Sequence, residues 1–486
     1  MIIRTEGRAL VDEHGHERSF RGINLVSKDP NDGYIPQVDE AFFARLQADG
    51  FNLIRFGLQW DGVEPEPGLY NDSYLALLKQ QIRWAEAHDI AVILDMHQDL
   101  YGIRYSDGAP EWATLDGGHP HITGDLWSDA YLLSPAVQHA FDAFWSNAVP
   151  PDSDRGLQDH YRAMWEHVAR FFADCSNVIG YDVLNEPYPG SQGQETFGAI
   201  AEAALQSGAL TLTEDTEIAS LWANDSSKAE LLANLTDLEL YDALAKHAAP
   251  SSQRFEREVL MPYYETMHAA IAPFCPHWLV FQEASYFTNM GIRSAITPVS
   301  EQSVYAPHGY DLVVDTDHYE AYSTERVDYI FHSHYRTQHA HNLPTLIGEW
   351  GAFSDHPRTP ELVRHLLSRF EANGWSHAYW CWYEGIEDAA YWPALVRSYP
   401  THVAGRIRHL EGDPQAFRLE LDAVEGESII YHPELAAIDG STLTLTLTVN
   451  GRILDNPETR RSPIRNTGAG HLAIRHPGGR IFIEIR

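Results

Sequence analysis

Two glutamates stand in apolar stretches where an unpaired charge would be costly to bury. Glu186 follows Asn185 in the segment LNEP, and Glu349 lies in the segment IGEWG. A single glutamate in such a place could be a structural ion pair, with Arg55 or His97 as its partner. Two glutamates, each near the end of a short apolar run, instead indicate a pair of carboxylates for acid–base and nucleophilic catalysis.

Further polar and aromatic side chains fall at equivalent places, near the ends of other apolar runs. They are candidates for binding a substrate or supporting the two carboxylates: Lys28, Arg55, His97, Asp99, Asn185, Gln282, His308, Tyr310, Trp382 and Glu384, with Glu283 beside Gln282. Lys28 gains weight because the chain contains only four lysines, although an ordinary surface position stays open for it. Gln282 and Glu283 are the weaker candidates.

The 26 histidines raise the question of a metal centre, because they include pairs with one residue between them. The pairs are His14/His16, His119/His121, His332/His334 and His339/His341. Metal-dependent barrel hydrolases place such a pair at the end of the first strand, whereas these pairs fall in predicted loops or helices. We therefore expect no catalytic metal. No glycine-rich phosphate-binding motif follows a predicted strand, so we expect no nucleotide cofactor either.

The elements that must position these side chains are eight short apolar runs separated by helical patterns. The runs are Phe20–Val26, Asn52–Trp60, Ala91–Gln98, Val178–Pro187, Trp278–Ser285, Ser303–Tyr310, Thr345–Gly351 and His377–Glu384. Their nearly continuous apolar character is typical of strands buried on both faces. The alternation predicts an α/β protein with a (β/α)8 TIM barrel, in which the active site lies at the carboxyl ends of the strands.

Three segments decorate the predicted barrel. Residues 2–20 predict a hairpin that turns near Gly15 and closes the barrel floor. Residues 189–250 are too long for an ordinary βα loop and contain helical pieces over 197–205 and 238–247, which predicts a lid over the catalytic rim. After residue 405 the alternation of apolar and polar residues, with a turn at Asn450-Gly451 and with Gly478-Gly479 between two strands, predicts a small antiparallel β-sandwich. We thus expect a catalytic domain over 1–405 and a sandwich domain over 406–486.

Composition narrows the class of protein. With 486 residues, 44% of them hydrophobic, the chain is not disordered, and three cysteines exclude a disulfide scaffold. A net charge of −35 argues against nucleic acid as a partner and favours neutral molecules such as sugars. Neither a signal-peptide pattern nor 18 uninterrupted apolar residues occurs. We therefore expect a cytoplasmic protein without an integral membrane segment, unless a secretion leader precedes the numbered chain; the oligomeric state stays open.

Arg55 on the second predicted strand, NEP at 185–187, HGY at 308–310, GEW at 348–350 and Trp382 on the eighth predicted strand occur in this order along the chain. This pattern resembles that of glycoside hydrolase family 5, a family of retaining (β/α)8 enzymes, over about residues 8–400. Within the family the chain is most similar to endoglycoceramidases. That similarity is carried by RGINLVSK at 21–28, DMHQDLYG at 95–102, YAPHGYD at 305–311 and the trailing sandwich.

The resemblance implies a role for every candidate except Gln282 and Glu283, for which only a substrate contact is considered. Glu186 would be the general acid/base, and Glu349 the nucleophile, held ionised by Arg55 and Tyr310. Asn185 would bind the 2-hydroxyl of the sugar. The remaining implied roles are tuning of Glu186 by His308, stacking of the sugar on Trp382, and hydroxyl binding by Lys28, His97, Asp99 and Glu384.

The leading hypothesis is a retaining β-glycosidase that cleaves a glucosyl or galactosyl bond by double displacement, with a carbohydrate or glycolipid as its partner. The predicted lid could line the site of a lipid aglycone, or it could only pack on the barrel. Its apolar side chains include Phe197, Ile200, Leu205, Leu221, Trp222, Leu231, Leu235 and Leu240. An exo-acting β-glucosidase or glucosylceramidase and a cellulase-like endoglucanase remain alternatives. A non-catalytic carbohydrate-binding barrel is the alternative outside enzymes, and it would be expected to lack one of the two glutamates.

Overall fold

An eight-stranded parallel barrel lies at the centre of the structure. Its strands, in chain order, are Arg21–Leu25, Leu53–Gln59, Ala91–His97, Val178–Asp182, Leu279–Gln282, Ser303–Tyr305, Leu346–Ile347 and Ser376–Tyr379. Neighbouring strands pair in parallel, the eighth pairs with the first, and a bridge between Tyr305 and Thr345 joins the sixth to the seventh. All eight predicted strands are present, and the predicted (β/α)8 barrel is confirmed.

The computed structural model describes residues 1–207, 232, 234–316, 318–354, 356–413, 415–434, 445–453, 459–461 and 470–485. Every residue of the first three barrel strands is buried. Strands covered on both faces explain why these runs lack the apolar–polar alternation of a half-exposed sheet.

Helices surround the barrel and return the chain to the next strand. Within the described residues the α-helices are Glu40–Ala48, Trp60–Val63, Asp72–Ala87, Asp129–Leu133, Pro135–Trp145, Leu157–Phe172, Gly193–Gln206, Leu238–Phe255, Met261–Ile271, Thr324–His341, Thr359–Asn373 and Trp392–Leu395. The short 3-10 helices are Pro30–Asp32, Glu111–Ala113, Gly190–Gln192, Tyr286–Met290, Tyr319–Ala321 and Ile386–Asp388. None of the described helices is long and apolar enough to cross a bilayer.

Helix Asp72–Ala87 illustrates why the sequence between strands forms helices. The Asn71 side chain accepts a hydrogen bond from Tyr74 N at 3.1 Å and so caps the amino end. Leu75, Leu78 and Ile82 recur at three- and four-residue spacing and are buried, which gives the helix one apolar face toward the barrel.

The predicted insertion over 189–250 contains the two helices that its sequence indicates. Helix Gly193–Gln206 covers the piece predicted at 197–205, and helix Leu238–Phe255 extends beyond the piece predicted at 238–247. The second helix continues through a π-helical turn, Glu256–Leu260, into Met261–Ile271. Of the apolar residues named for the lid, Leu221, Trp222 and Leu231 lie outside the described residues.

The amino-terminal strands join a sheet built mostly from the other end of the chain. Strands Ile3–Glu6, Ala9–Asp12 and Glu17–Arg18 pair in sequence, and Gly15 N donates to Asp12 O in the predicted turn. The third of them pairs with Tyr399–Val403, in a seven-stranded sheet completed by Gly426–Tyr431, His471–His476 and Thr459–Arg461. Ile3 and Leu10 of this sheet belong to the apolar cluster with Leu53, Ala91 and Leu279 of the barrel, so the hairpin closes the barrel floor.

A second antiparallel sheet completes the carboxyl-terminal region. Its strands are Gly405–Glu411, Phe417–Ala423, Gly479–Ile485, Leu445–Val449 and Arg452–Ile453. Residues of both sheets, among them Ile430, Ile474, Leu419 and Ile483, form one buried apolar cluster, and this accounts for the period-two alternation of the sequence. The Asn450-Gly451 turn forms a hairpin as predicted. At Gly478-Gly479 the chain instead crosses from one sheet to the other.

Candidate active site

A cavity of about 530 Å³ opens at the carboxyl ends of the barrel strands. At the barrel centre it is lined by polar side chains from several strands, namely Lys28, His97, Asp99, Asn185, Glu186, Tyr310 and Glu349. Seven of the predicted site residues therefore meet in one cavity. They are far apart in sequence but share the position just past a strand end, which is where a parallel barrel gathers its catalytic groups.

The two glutamates lie at a short distance from each other. Each offers a carboxylate oxygen, and these oxygens lie within 4.8 Å, with His308 Nδ1 3.0 Å from Glu186 Oε1 and 3.4 Å from Glu349 Oε2. The short strands His308–Gly309 and Glu349–Trp350 pair in register, which sets His308 directly beside Glu349. Retaining glycosidases have carboxyl groups about 5–5.5 Å apart, whereas inverting enzymes need about 6.5–9.5 Å to admit a water molecule. The spacing here corresponds to the retaining arrangement.

Glu186 has the environment of a proton donor. Its side chain is buried, and burial raises the pKa of Glu186 to about 7, against the opposing effect of the hydrogen bond from His308. Asn289 Nδ2 donates to the same oxygen, Oε1, at 2.6 Å. The backbone of Glu186 has φ of 45°, a left-handed conformation that is costly for a residue with a side chain and that clusters at functional sites.

Glu349 has the environment of an anion. Arg55 Nη1 donates to Glu349 Oε1 at 2.7 Å, and the Tyr310 hydroxyl donates to Oε2 at 2.8 Å. A buried guanidinium and a hydroxyl donor both stabilise a carboxylate charge. The predicted support of Glu349 by Arg55 and Tyr310 is thus present as direct contacts.

Arg55 is also the centre of a buried charge cluster below the cavity. Its Nη2 donates to Asp95 at 2.9 Å, to Asp182 at 3.0 Å and to Glu283 at 2.8 Å. Burial and the neighbouring Glu283 raise the pKa of Asp182 well above its ordinary value. Burial also opposes ionisation of Glu283, but His308 and Arg55 outweigh it and lower the pKa of Glu283 to about 2. Glu283 accepts a hydrogen bond from Glu186 N at 2.8 Å, so it supports the catalytic pair from beneath the cavity.

Asp95 and Asp182 were not among the predicted site residues, although both stand inside apolar runs, as Glu186 does. The same signal would have found them.

His308 lies between the two glutamates, as Arg55 lies among the buried carboxylates. Burial lowers the pKa of His308, but Glu283 and Glu349 outweigh burial and raise it well above its ordinary value. Glu186, His308 and Glu349 form a cluster with metal-ligand spacing, and its two carboxylates already contact the His308 ring and, for Glu349, the Arg55 guanidinium.

A second charged group lines the cavity beside the glutamates. Lys28 forms an ion pair with Asp99 and lies 3.7 Å from Asp107. Burial opposes ionisation of Asp99, but Lys28 and His97 outweigh it and lower the pKa of Asp99 to about 2. His97 Nδ1 lies 3.0 Å from Asp95 Oδ2. These groups present fixed donors and acceptors to a polar ligand such as a sugar.

Of the two tryptophans at the end of the eighth strand, Trp380 lines the cavity and the predicted Trp382 does not. Trp380 stacks on His97 with ring centroids 5.0 Å apart and an interplanar angle of 15°, and Lys28 Nζ lies 4.8 Å from its centroid. Trp382 packs edge-on against Phe42 outside the cavity lining. Both tryptophans have the same parity in the predicted eighth run, His377–Glu384, so sequence alone could not separate them. The strand ends at Tyr379, and the chain turns away before Trp382.

Two other predicted contacts also lie outside the cavity lining. Glu384 is exposed on the turn that follows the eighth strand. Gln282 is buried, and its side chain bonds to Thr297 O at 3.1 Å and Val299 N at 3.2 Å, which ties down the chain after strand five. Residues that sequence reasoning missed in the lining include Trp380, Asn289, Asp315 and Trp127.

The far side of the cavity is apolar and is built largely from the insertion. Three of the residues named for the lid line it: Phe197, Ile200 and Leu235. Leu205 and Leu240 do not. Further lining side chains come from the same helices and from the loop after strand five, namely Ala201, Ala204, Tyr241, Leu244, Ala245, Phe287, Met290 and Ile292. The cavity therefore joins a polar catalytic end to an apolar chamber.

Comparisons with known proteins agree with this geometry. Residues 11–385 match the family model described as Cellulase (glycosyl hydrolase family 5). An endoglycoceramidase of Cyanea nozakii is 32% identical over 219 residues, which is 39% of this chain and 42% of that protein. A glucosylceramidase of Cryptococcus neoformans var. grubii is 26% identical over 257 residues, 40% of this chain and 34% of its own length. The matches thus span less than half of these relatives.

One solved structure extends the likeness over the whole chain. Endo-glycoceramidase II from Rhodococcus sp., in complex with ganglioside GM3, superposes with a TM-score of 0.75 at 22% identity, covering 99% of both chains. At that identity the likeness concerns the fold, including both the barrel and the carboxyl-terminal sheets.

Proposed function

The chain belongs to glycosyl hydrolase family 5, and from that premise we propose that it hydrolyses the β-glycosidic bond between a glucosyl or galactosyl residue and a lipid aglycone, with retention of configuration. One observation carries the proposal: the Glu186–Glu349 pair stands where a polar sugar site meets an apolar chamber in the same cavity.

The first chemical step uses both glutamates at once. Glu349 attacks the anomeric carbon and forms a glycosyl–enzyme bond, while Glu186 gives its proton to the departing aglycone oxygen. Arg55 and Tyr310 each donate a hydrogen bond to one oxygen of Glu349 and so hold the nucleophile in place. The raised pKa of Glu186, about 7, means that the proton is present near neutral pH.

The second step reverses the role of Glu186. Once the aglycone has left, Glu186 is an anion and takes a proton from water, which attacks the anomeric carbon and releases Glu349. Asn185 is anchored for contact with the 2-hydroxyl, because its Oδ1 accepts from Arg55 and its Nδ2 donates to Gln98 O at 3.1 Å. Trp380 takes the stacking role first predicted for Trp382.

The proposal of a lipid aglycone follows from where the proton goes. Glu186 protonates the aglycone oxygen, so the aglycone must leave beside Glu186. The lid helix Gly193–Gln206 begins shortly after Glu186 in the chain and lines the cavity with Phe197, Ile200 and Ala201. Relatives named endoglycoceramidase and glucosylceramidase, and the solved ganglioside complex, support this substrate class.

The other candidate functions receive less support. A cellulase-like endoglucanase would have sugar on both sides of the scissile bond, where this cavity offers an apolar wall. A non-catalytic sugar-binding barrel has no need of a carboxylate pair at catalytic spacing, each member with its own supporting contacts.

The experiment is a comparison of intact glycosphingolipids, simple glucosides and cello-oligosaccharides, with chromatography of the released sugars. Release of glucose or an oligosaccharide from a glycosphingolipid, in wild type and not in Glu349→Gln, is the expected result; the size of the sugar separates exo from endo action. Hydrolysis of cello-oligosaccharides alone would refute the lipid aglycone, and no hydrolysis of any β-glycoside would refute the glycosidase.

A further inference from the structure

One buried carboxylate holds both ends of the loop that follows the fifth barrel strand. This loop, residues 285–295, contains the 3-10 helix Tyr286–Met290. Glu256 Oε1 accepts from Ser285 N and from Ser294 Oγ, each at 3.0 Å, and Oε2 accepts from Ala295 N. Glu256 is fully buried and stands in the π-helical turn Glu256–Leu260. Such turns are uncommon inside long helices and are frequent at functional sites.

The loop brings one polar side chain directly onto the proton donor. Asn289 Nδ2 donates to Glu186 Oε1 at 2.6 Å, and the loop is anchored near Glu186 by the bond from Tyr286 N to Pro187 O at 3.1 Å. Because Asn289 lies between the two ends that Glu256 holds, its position depends on that anchorage.

Asn289 and His308 together determine which oxygen of Glu186 can carry a proton. Both donate to Oε1, at 2.6 Å and 3.0 Å. A carboxyl oxygen has two lone pairs, and on Oε1 both are taken by these two donors. The proton of neutral Glu186 therefore resides on Oε2. Proton transfer to a leaving group requires the proton at the oxygen that faces it.

We propose that Glu256 is a positioning residue: by clamping the 285–295 loop it keeps Asn289 on Oε1 of Glu186 and thereby directs the acidic proton to Oε2. This inference rests on the proposed role of Glu186 as the acid. It assigns a function to a residue that does not line the cavity and acts only through Asn289.

Loss of the contact between Asn289 and Glu186 should change the pH dependence of the activity. A donor to Oε1 stabilises the carboxylate, so its loss raises the pKa of Glu186. The alkaline limb of kcat/KM, which reports the ionisation of the acid in the free enzyme, must then move to higher pH. The other titratable groups that act on Glu186 are His308, Glu349, Asp99, Tyr131, Tyr286 and Tyr310, and none of them is substituted below. Tyr286 lies in the loop that Glu256→Gln releases, whereas Asn289→Ala leaves the clamp on that loop in place.

The test uses Glu256→Gln, Asn289→Ala, the double variant and a matched control. In wild type the two oxygens of Glu256 each accept from a backbone N–H, of Ser285 and of Ala295. In Glu256→Gln the amide NH2 group replaces one of these oxygens and cannot accept, so one end of the loop is released. Glu64→Gln is the control, since Glu64 is equally buried and accepts from Trp60 Nε1, Gly68 N and His160 Nδ1, away from the cavity lining. It reports the cost of any buried Glu→Gln change.

For both Glu256→Gln and Asn289→Ala we expect the alkaline limb of kcat/KM to move up by about half to one pH unit. We also expect kcat to fall about tenfold with an alkyl glycoside but little with a dinitrophenyl glycoside, which needs little acid assistance. The double variant should behave like either single variant, because both act through one contact. Glu64→Gln should lower Tm without moving the limb.

An unmoved limb in Asn289→Ala would refute the selection of Oε2, and a moved limb in Asn289→Ala but not in Glu256→Gln would refute the clamp. If Glu256→Gln does not fold, Ser294→Ala removes one of the three donors and is read in the same way. Failure of the proposed glycosidase mechanism would give a different result: Glu186→Gln and Glu349→Gln would retain the activity of the wild type.

Discussion

A carboxylate oxygen of Glu186 and one of Glu349 lie within 4.8 Å of each other, although the two residues come from different strand ends on the barrel. This separation matches the retaining arrangement rather than the wider spacing that admits an attacking water molecule, and it supports the covalent intermediate proposed above.

The stereochemical outcome should therefore be retention. Proton NMR of the first seconds of hydrolysis of an aryl β-glucoside should show the β-anomer of glucose before mutarotation. Appearance of the α-anomer first would mean inversion and would contradict the double-displacement mechanism.

The two glutamates should differ in how their loss depends on the leaving group. Glu349→Gln should abolish turnover of every substrate, by a factor of about 10⁴ or more, because the nucleophile is lost. Glu186→Gln should slow alkyl glycosides by about 10²- to 10⁴-fold and dinitrophenyl glycosides far less in the first step. Azide should partly restore turnover only in Glu186→Gln, with a β-glycosyl azide as the product. Equal losses on good and poor leaving groups, without azide rescue, would contradict the assignment of Glu186.

Stability should depend on the ionisation of Glu186. Burial raises the pKa of Glu186 from 4.5 to about 7, so between these values the folded state holds a proton that the unfolded state has lost. The free energy of unfolding then falls as pH rises through this window. Glu186→Gln should remove this contribution and be more stable than wild type at pH 8, by on the order of 1–3 kcal/mol, but not at pH 4.

Urea denaturation of both proteins at pH 4, 6 and 8 would check this. If the difference in unfolding free energy between wild type and Glu186→Gln does not change with pH, Glu186 has the same pKa in the folded and the unfolded state. In wild type, kcat/KM for an alkyl glycoside should also fall as pH rises above about 7, because the acid must be protonated.

The two neighbouring tryptophans should separate catalysis from packing. Trp380→Ala removes a wall of the cavity and the ring that stacks on His97, so kcat/KM should fall about 3- to 10-fold or more with little change in Tm. Trp382→Ala removes packing on Phe42 and should lower Tm, with a smaller effect on kcat/KM. Steady-state kinetics beside thermal melts decide the matter; a larger kinetic loss in Trp382→Ala would return the stacking role to Trp382.

The apolar chamber should show itself in a series of alkyl β-glucosides. Each buried methylene contributes about 0.8 kcal/mol, so kcat/KM should rise several-fold for each added pair of methylenes until the chamber is filled. Phe197→Ala with Ile200→Ala should flatten this slope and leave a nitrophenyl glucoside nearly unaffected. Leu77→Ala, at an exposed helix position, is the control. A flat series in wild type would contradict the lipid aglycone and favour a small polar one.

The barrel and the main members of its site could be predicted from the sequence because their signals are local. A strand buried on both faces reads as an apolar run, and a polar residue at its end is visible without knowing any partner. Glu186, Glu349, Tyr310 and Lys28 were found in this way, and all four line the cavity.

The features that escaped prediction depend on pairings between distant parts of the chain. Trp380 and Trp382 have identical local signals, and only the course of the chain after Tyr379 places one in the cavity and the other on Phe42. Asn289 reaches Glu186 because a carboxylate on another helix holds its loop. The amino-terminal hairpin joins a sheet whose other strands begin at Tyr399. Contacts of this kind are set by packing of the whole molecule, and no window of sequence contains both partners.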